Sequence, residues 1–558
     1  MRRRTHRPIL RHFESLEPRL AMAGLAQYYD VDGDIVTVST DRGTDAQLAG
    51  ALLLVPAGTI GGYQLAEVAL FNPAFARTNL TITARPSATG GNGQVNVGEI
   101  LAPFDLGRVT VGGDLGRIRA GDGNLATPGV TAFVAGSVGL NGTATGASDN
   151  FSAIAGPVPL IRLSGTMFGA RFQVTGRAAD VAIGGGVSGF NENDGFQAAS
   201  IGRIVVGGTI IGGSADGSGR ILALTGGIDR VEIGGSLRGG LGNYSGMVAS
   251  AGTIGFARIG GSIFGDGFGT SGMYSGAISS GRGITRLVVG GGIYGGAGFM
   301  YSGAVFAVGA IGSMVVGGPV DGAGSAASGS VAAAIVAASI GSLDIGGGLL
   351  GGPGFASGVV SSTGRIGTLR VGEVRAGVGS DSGSVRSGSL GTMLVRGNIS
   401  GSLSQPAIVS ALGSATPAGP RAIDALTVGG NMVNTVVLGG YQGLNPVNGA
   451  ARIGTVTVRG SLFGSSVVAG VMNIGVLHPV SGMPQFGDGL DMPIAGGRGS
   501  RIDSLVVNGL ALGAPDFTDV SGVLANSIGT VRIGGRPYTA TRTGITPTSP
   551  NLQFRLVR

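Results

Sequence analysis

The chain has 558 residues, among them 115 glycines, no cysteine and no tryptophan, and all 37 basic residues are arginine. Without cysteine there is no disulfide framework and no thiolate metal site. A helical core is also excluded, because a glycine inside a helix costs about 1 kcal/mol relative to alanine. The net charge of +7 sits at the ends, in residues 1–24 and after position 535. The body between them lacks the basic excess that a nucleic-acid-binding face requires. No run of about 18 apolar residues predicts a membrane span.

Residues 1–24 form a leader with a basic end and Ala21-Met-Ala23 as a cleavage-like site. Arg11, His12, Glu14 and Glu17 interrupt the apolar core that a secretory signal needs. Within the leader, Phe13-Glu-Ser-Leu-Glu-Pro-Arg-Leu20 resembles the LEPR-XLL motif. Leu16-Glu-Pro-Arg19 matches with Leu20 next, while Ala21 or Met22 stands in place of the usual second leucine. That motif opens many large surface or exported proteins of Planctomycetes and related bacteria. Tyr29-Asp-Val-Asp-Gly-Asp-Ile-Val-Thr-Val38 resembles a recurrent opening segment of the same group. Gly107–Ile118, with Ala120-Gly-Asp122, resembles its repeat. The resemblance implies an extracellular or cell-surface β-repeat protein, and no residue's role is carried over.

Residues 25–90 read as an N-terminal β cap, with strands predicted around Ile35–Val38, Ala51–Val55 and Leu80–Thr83. The segment Asp30-Val-Asp32-Gly-Asp34 places three carboxylates at alternate positions. Such a group suits a hard cation, Ca²⁺ first. An Asp-Gly turn explains the same residues without metal. The EF-hand spacing fails, because position 41 is Asp41 rather than glutamate.

Residues 91–200 hold irregular coils and 201–535 a regular array. The array repeats a hydrophobic anchor, an alternating strand, Gly-Gly, a small residue and a second short strand, as in Ile228-Asp-Arg-Val-Glu-Ile-Gly-Gly-Ser-Leu-Arg-Gly-Gly240. A third piece follows, as in Ser275-Gly-Ala-Ile-Ser-Ser280 and Ser357-Gly-Val-Val-Ser-Ser362. Val231 and Ile233 alternate with charged residues, which marks a half-buried strand. Self-similarity at a fixed period means stacked units. Three strands per unit, with glycine corners that accept positive φ, predict an all-β parallel β-helix of about fifteen coils, roughly 70 Å long at the usual strand spacing.

Arg203, Arg230, Arg258 and Arg286 follow successive anchors, and the spacing predicts an arginine column able to bind an anionic polysaccharide or other cell-envelope component. A solvated outward strand position explains them without a ligand. The insertion at 470–500 holds Asp488 and Asp491 with His478 nearby. These suggest an acid/base pair or ordinary loop acids. Long insertions often form the working face of a repeat array, although idle loops are tolerated. The tail, 536–558, reads as loosely held. The expected function is a structural or adhesive surface solenoid without catalysis. A lyase or hydrolase acting on an acidic glycan is the alternative.

Overall fold

The computed structural model describes residues 24–557, apart from 59–60, 89, 266–271, 299, 326–330, 403, 417–418, 476, 478–484, 496–498, 514–519, 546–548 and 550. Nearly every strand belongs to one parallel stack of about sixteen turns. The turn from Ile228 shows the plan. Its strands are Ile228–Ile233, Leu237–Arg238 and Val248–Ser250. Each pairs in parallel with its counterpart one turn on: Ile228 with Ile254, Leu237 with Ile263, and Val248 with Ile278. Three parallel faces therefore enclose one core. At about 4.8 Å per strand, sixteen turns span roughly 75 Å.

The extra turn beyond fifteen is Val130–Val138, which pairs with Leu106–Leu115 on one side and with Ile161–Leu163 on the other. Its corner reads Ala135-Gly-Ser137, without the Gly-Gly signature, so the repeat is hard to see. The pairing itself depends on backbone shape and inward side chains, and Val130, Phe133, Ala135 and Val138 are all buried.

Inward residues form aliphatic columns. On the first face Ile201, Ile228, Ile254, Ile284 and Ile311 succeed one another, each at most 1% exposed. On the second, Ile210, Leu237, Ile263 and Ile293 do the same. In the N-terminal turns phenylalanines fill the interior. Phe133 and Phe172 lie 5.4 Å apart and Phe172 and Phe196 5.9 Å apart, all fully enclosed. Burial of such side chains contributes about 1.5–3 kcal/mol each, which is why a chain without staples holds together.

The glycines do two different jobs. At the first corner, Gly207, Gly234, Gly260 and Gly290 stack one above another with ordinary backbone angles. A Cβ on Gly260 would overlap the carbonyl oxygen of Gly234. Close approach, not positive φ, demands glycine there. At the corner before the third face, Gly246, Gly276 and Gly303 do adopt positive φ, at 56°, 57° and 60°. The serine before each is buried, and Ser245 and Ser302 hold the preceding loop. Gly240 N–H donates to Ser245 Oγ at 2.9 Å, and Gly296 N–H to Ser302 Oγ at 3.0 Å. The small residue after Gly-Gly builds a ladder of its own. Ser262 N–H donates to Ser236 Oγ, and Gly292 N–H to Ser262 Oγ.

Both ends are closed. Gly24–Tyr29 pairs antiparallel with Ile35–Thr40, which pairs antiparallel with Leu80–Arg85. Leu80–Ile82 then pairs in parallel with Val109–Val111 and opens the stack. A short helix, Asp45–Ala49, starts at a Thr44–Gln47 capping box and adds the enclosed Leu48 to the core. At the other end the tail is not loose. Arg536–Tyr538 folds back on Val531–Ile533, and Leu552–Leu556 adds a last parallel layer to Ser521–Ala525. Leu552 and Phe554 alternate into the core, which ties this segment down. The leader residues 1–23, with the LEPR-like segment, lie outside the described residues.

Candidate functional site

Asp30, Asp32 and Asp34 come together at the tip of the first hairpin, with one oxygen from each lying within 4.8 Å of the others. The loop itself explains part of this. Asp30 Oδ1 accepts the N–H groups of Asp32, Gly33 and Asp34, the last at 2.8 Å. Asp34 is fully enclosed, and its Oδ2 accepts from Asn92 N–H at 3.1 Å and Gly93 N–H at 2.7 Å. The loop around 90–93 is thereby pinned to the hairpin tip. Asp34 Oδ1, Asp32 Oδ1 and the Tyr28 hydroxyl are buried without a hydrogen-bond partner. Burial, then Asp32 and the charge of Asp34, push the Asp30 carboxyl up to about 6, against the Asp34 N–H that holds it down. Burial, and then the Asp30 charge, raise the Tyr28 phenol. Asp41 belongs elsewhere: it accepts from Thr78 Oγ1 and from the Asn79 backbone and side chain.

The four predicted arginines do not make one column. Arg203, Arg230 and Arg286 share an outward column, with Phe256 between the last two. Arg258 stands in the next outward column, beside Glu232. A two-residue difference in spacing after the anchor decides this, four residues from Ile254 to Arg258 against two in the other turns, since successive outward positions in a strand are two residues apart. Arg203 lies 3.6 Å from Asp180 and 3.7 Å from Glu232, and Arg230 lies 2.7 Å from Glu232. The hydrogen bond from Arg230 lowers the Glu232 carboxyl below its ordinary range. The Arg230 and Arg286 guanidiniums flank the Phe256 ring at 4.7 and 5.9 Å. Further along, Arg177–Asp229, Arg365–Asp424 and Arg396–Asp344 cross-link turns. Of the four predicted arginines, Arg203 and Arg230 are paired with acids of the stack.

The insertion is folded onto the third face. Val471–Met472 pairs with Met492–Pro493, and a smaller hairpin pairs Tyr441–Gln442 with Asn445–Pro446. The Tyr441 hydroxyl donates to the Val471 carbonyl at 2.6 Å and joins the two. Tyr441, Val471, Phe486 and Ile494 cover the outward Leu438, Val468 and Leu524 in a second small core. Asp491 is 5% exposed, and its Oδ2 accepts from Gly487 N–H. Burial above all, with help from Asp488 and opposition from Gly487 N–H and Arg555, pushes its carboxyl up to about 6. His478 lies outside the described residues.

Two features escaped the sequence reading. Tyr244, Tyr274 and Tyr301 hold positive φ of 54–56° and stack with ring centroids 5.6 and 5.0 Å apart. The recurring Tyr-Ser-Gly was their signal. Their faces cover one another, so they bind turn to turn. Second, a polar pocket of about 230 Å³ beside the 441–446 hairpin is lined by Ser361, Thr363, Arg386, Ser387 and Gln442, among others. Arg386 is paired there with Asp381 at 2.8 Å. The register that stacks Ser361 on Arg386 spans 25 residues and cannot be read locally.

Fold and geometry together define a parallel β-solenoid closed at both ends. No family model, curated protein or solved structure matches the chain.

Proposed function

We propose that the chain is an exported, cell-surface rod with a structural or adhesive role and no catalysis. The single observation behind this reading is the unbroken parallel stack, whose outward charges pair along its axis. A fold with one continuous core and laced turns resists bending and places its loops at fixed heights, as a spacer or display element must. The LEPR-like segment Leu16–Arg19 supports an extracellular address for that rod. Fractionation and surface proteolysis of the native cells test it. The protein is expected in the envelope or medium, cleaved after Ala23 and lacking residues 1–23. Retention in the cytosol with an intact leader overturns the reading.

Handling of an acidic glycan is the second reading, favoured by the hydroxyl-lined pocket at Arg386. The Asp381–Arg386 pair counts against a free anion site there. Incubation with pectin and alginate separates the two, and release of shortened chains would favour the second.

A further inference from the structure

The carboxylates of the cap are only partly satisfied within the chain: backbone N–H groups reach Asp30 Oδ1 and Asp34 Oδ2, and none reaches Asp32 Oδ1 or Asp34 Oδ1. Three ionised acids at this spacing repel one another, and a buried, unpaired charge is costly. Asp34 is 0% exposed and Asp30 7% exposed, yet both point into one space. The oxygens within 4.8 Å of one another match what a calcium ion spans, since ligands on opposite sides at 2.3–2.6 Å stand about 4.6–5.2 Å apart. Asp34 Oδ1 and Asp32 Oδ1 are buried acceptors that receive no N–H or O–H. A second observation lies outside the acids. The Tyr28 hydroxyl is enclosed, without partner, and on the same side of the hairpin as Asp30 and Asp34. Alternation along the strand puts residues 28 and 30, and 34 and 36, on that inner side. Buried polar atoms are almost always satisfied by protein, water or an ion.

We infer that Asp30, Asp32 and Asp34 bind one calcium ion that locks the hairpin tip to the loop around 90–93. Asp34 is the hinge of the device, because its other oxygen already holds Asn92 and Gly93. The ion would couple closure of the cap to extracellular calcium. This role is independent of whether the rod is structural or adhesive.

The test uses the full chain, stripped with EDTA and then titrated with CaCl₂. Calorimetry is expected to show one ion per chain. Hydrogen exchange is expected to slow at least tenfold over residues 24–40 and 90–98 and to stay unchanged beyond 201. Asp32→Asn is the cleanest variant, because no backbone N–H is seen to rest on that side chain. It should fold, keep its exchange pattern in EDTA and lose the calcium response. Asp34→Asn should lose it as well. Identical exchange with calcium and EDTA, or undiminished calcium binding in Asp32→Asn, overturns the inference.

Discussion

The turns from 359 to 411 and those from 435 to 525 share strand pairing on the third face but differ in what that face shows the outside. In the earlier turns the outward column runs Ser361, Arg386, Ser410. In the later ones it runs Leu438, Val468, Leu524. The polar stretch borders an open pocket, and the apolar stretch is covered by two hairpins. One column of side chains thus lines a pocket at Ser361 and Arg386, is already enclosed at Ser410, and is covered by hairpins from Leu438 on. It follows that the array is held by contacts repeated at every turn, and the covered region by a few local ones.

The sharpest way to break this contrast is at the repeated corner. Gly260→Val would drive a side chain into the Gly234 carbonyl and stop one turn from docking on the next. The expected loss is about 4–5 kcal/mol, at the top of the range for one substitution. Urea unfolding followed by circular dichroism should show it as a shift of the main transition.

Phe486→Ala attacks the covered region instead. Phe486 is 1% exposed in the second core, and such a truncation costs about 3–5 kcal/mol. The loss should stay local: faster exchange and proteolysis at 441–446 and 485–494, with the turns before 400 unaltered. Spread of the effect into those turns would erase the distinction between the regions.

A smaller effect sharpens it. The Asp491 carboxyl titrates near 6 when folded and near 3.8 when unfolded, with Asp488, Arg555 and Tyr441 as its charged or titratable neighbours. Because the folded value is raised, the covered region is most stable below about pH 4. It loses stability as pH rises to 6, and the loss is complete above that. Two units correspond to about 3 kcal/mol as an upper bound. Asp491→Asn should therefore slow local exchange at pH 7 and flatten its change between pH 4 and 6.

The strands of the array were legible because their pattern is short. Alternation in Arg230-Val-Glu-Ile233 and the Gly-Gly corner after it lie within a few residues. The Val130 turn was missed because its corner uses Ala135 and Ser137. The tail was misread because two apolar residues, Leu552 and Phe554, do not announce a strand amid threonine and proline. The arginine column failed on two residues of spacing, since Arg258 stands four residues after Ile254 and the other three stand two after their anchors. Of the candidate site, Asp30, Asp32 and Asp34 were visible as a string. Tyr28 beside them and the clasp by Asn92 and Gly93 were not.

By itself the sequence determined the solenoid, since a period of inward aliphatic residues with glycine corners has one way to bury its strands and pair its backbone. Tertiary structure alone decided which outward side chains meet. Neighbours across turns lie some 20 to 50 residues apart along the chain, and their register is set by loop lengths that leave no local mark. Charge pairing, the covered insertion and the acid cluster all depend on that register.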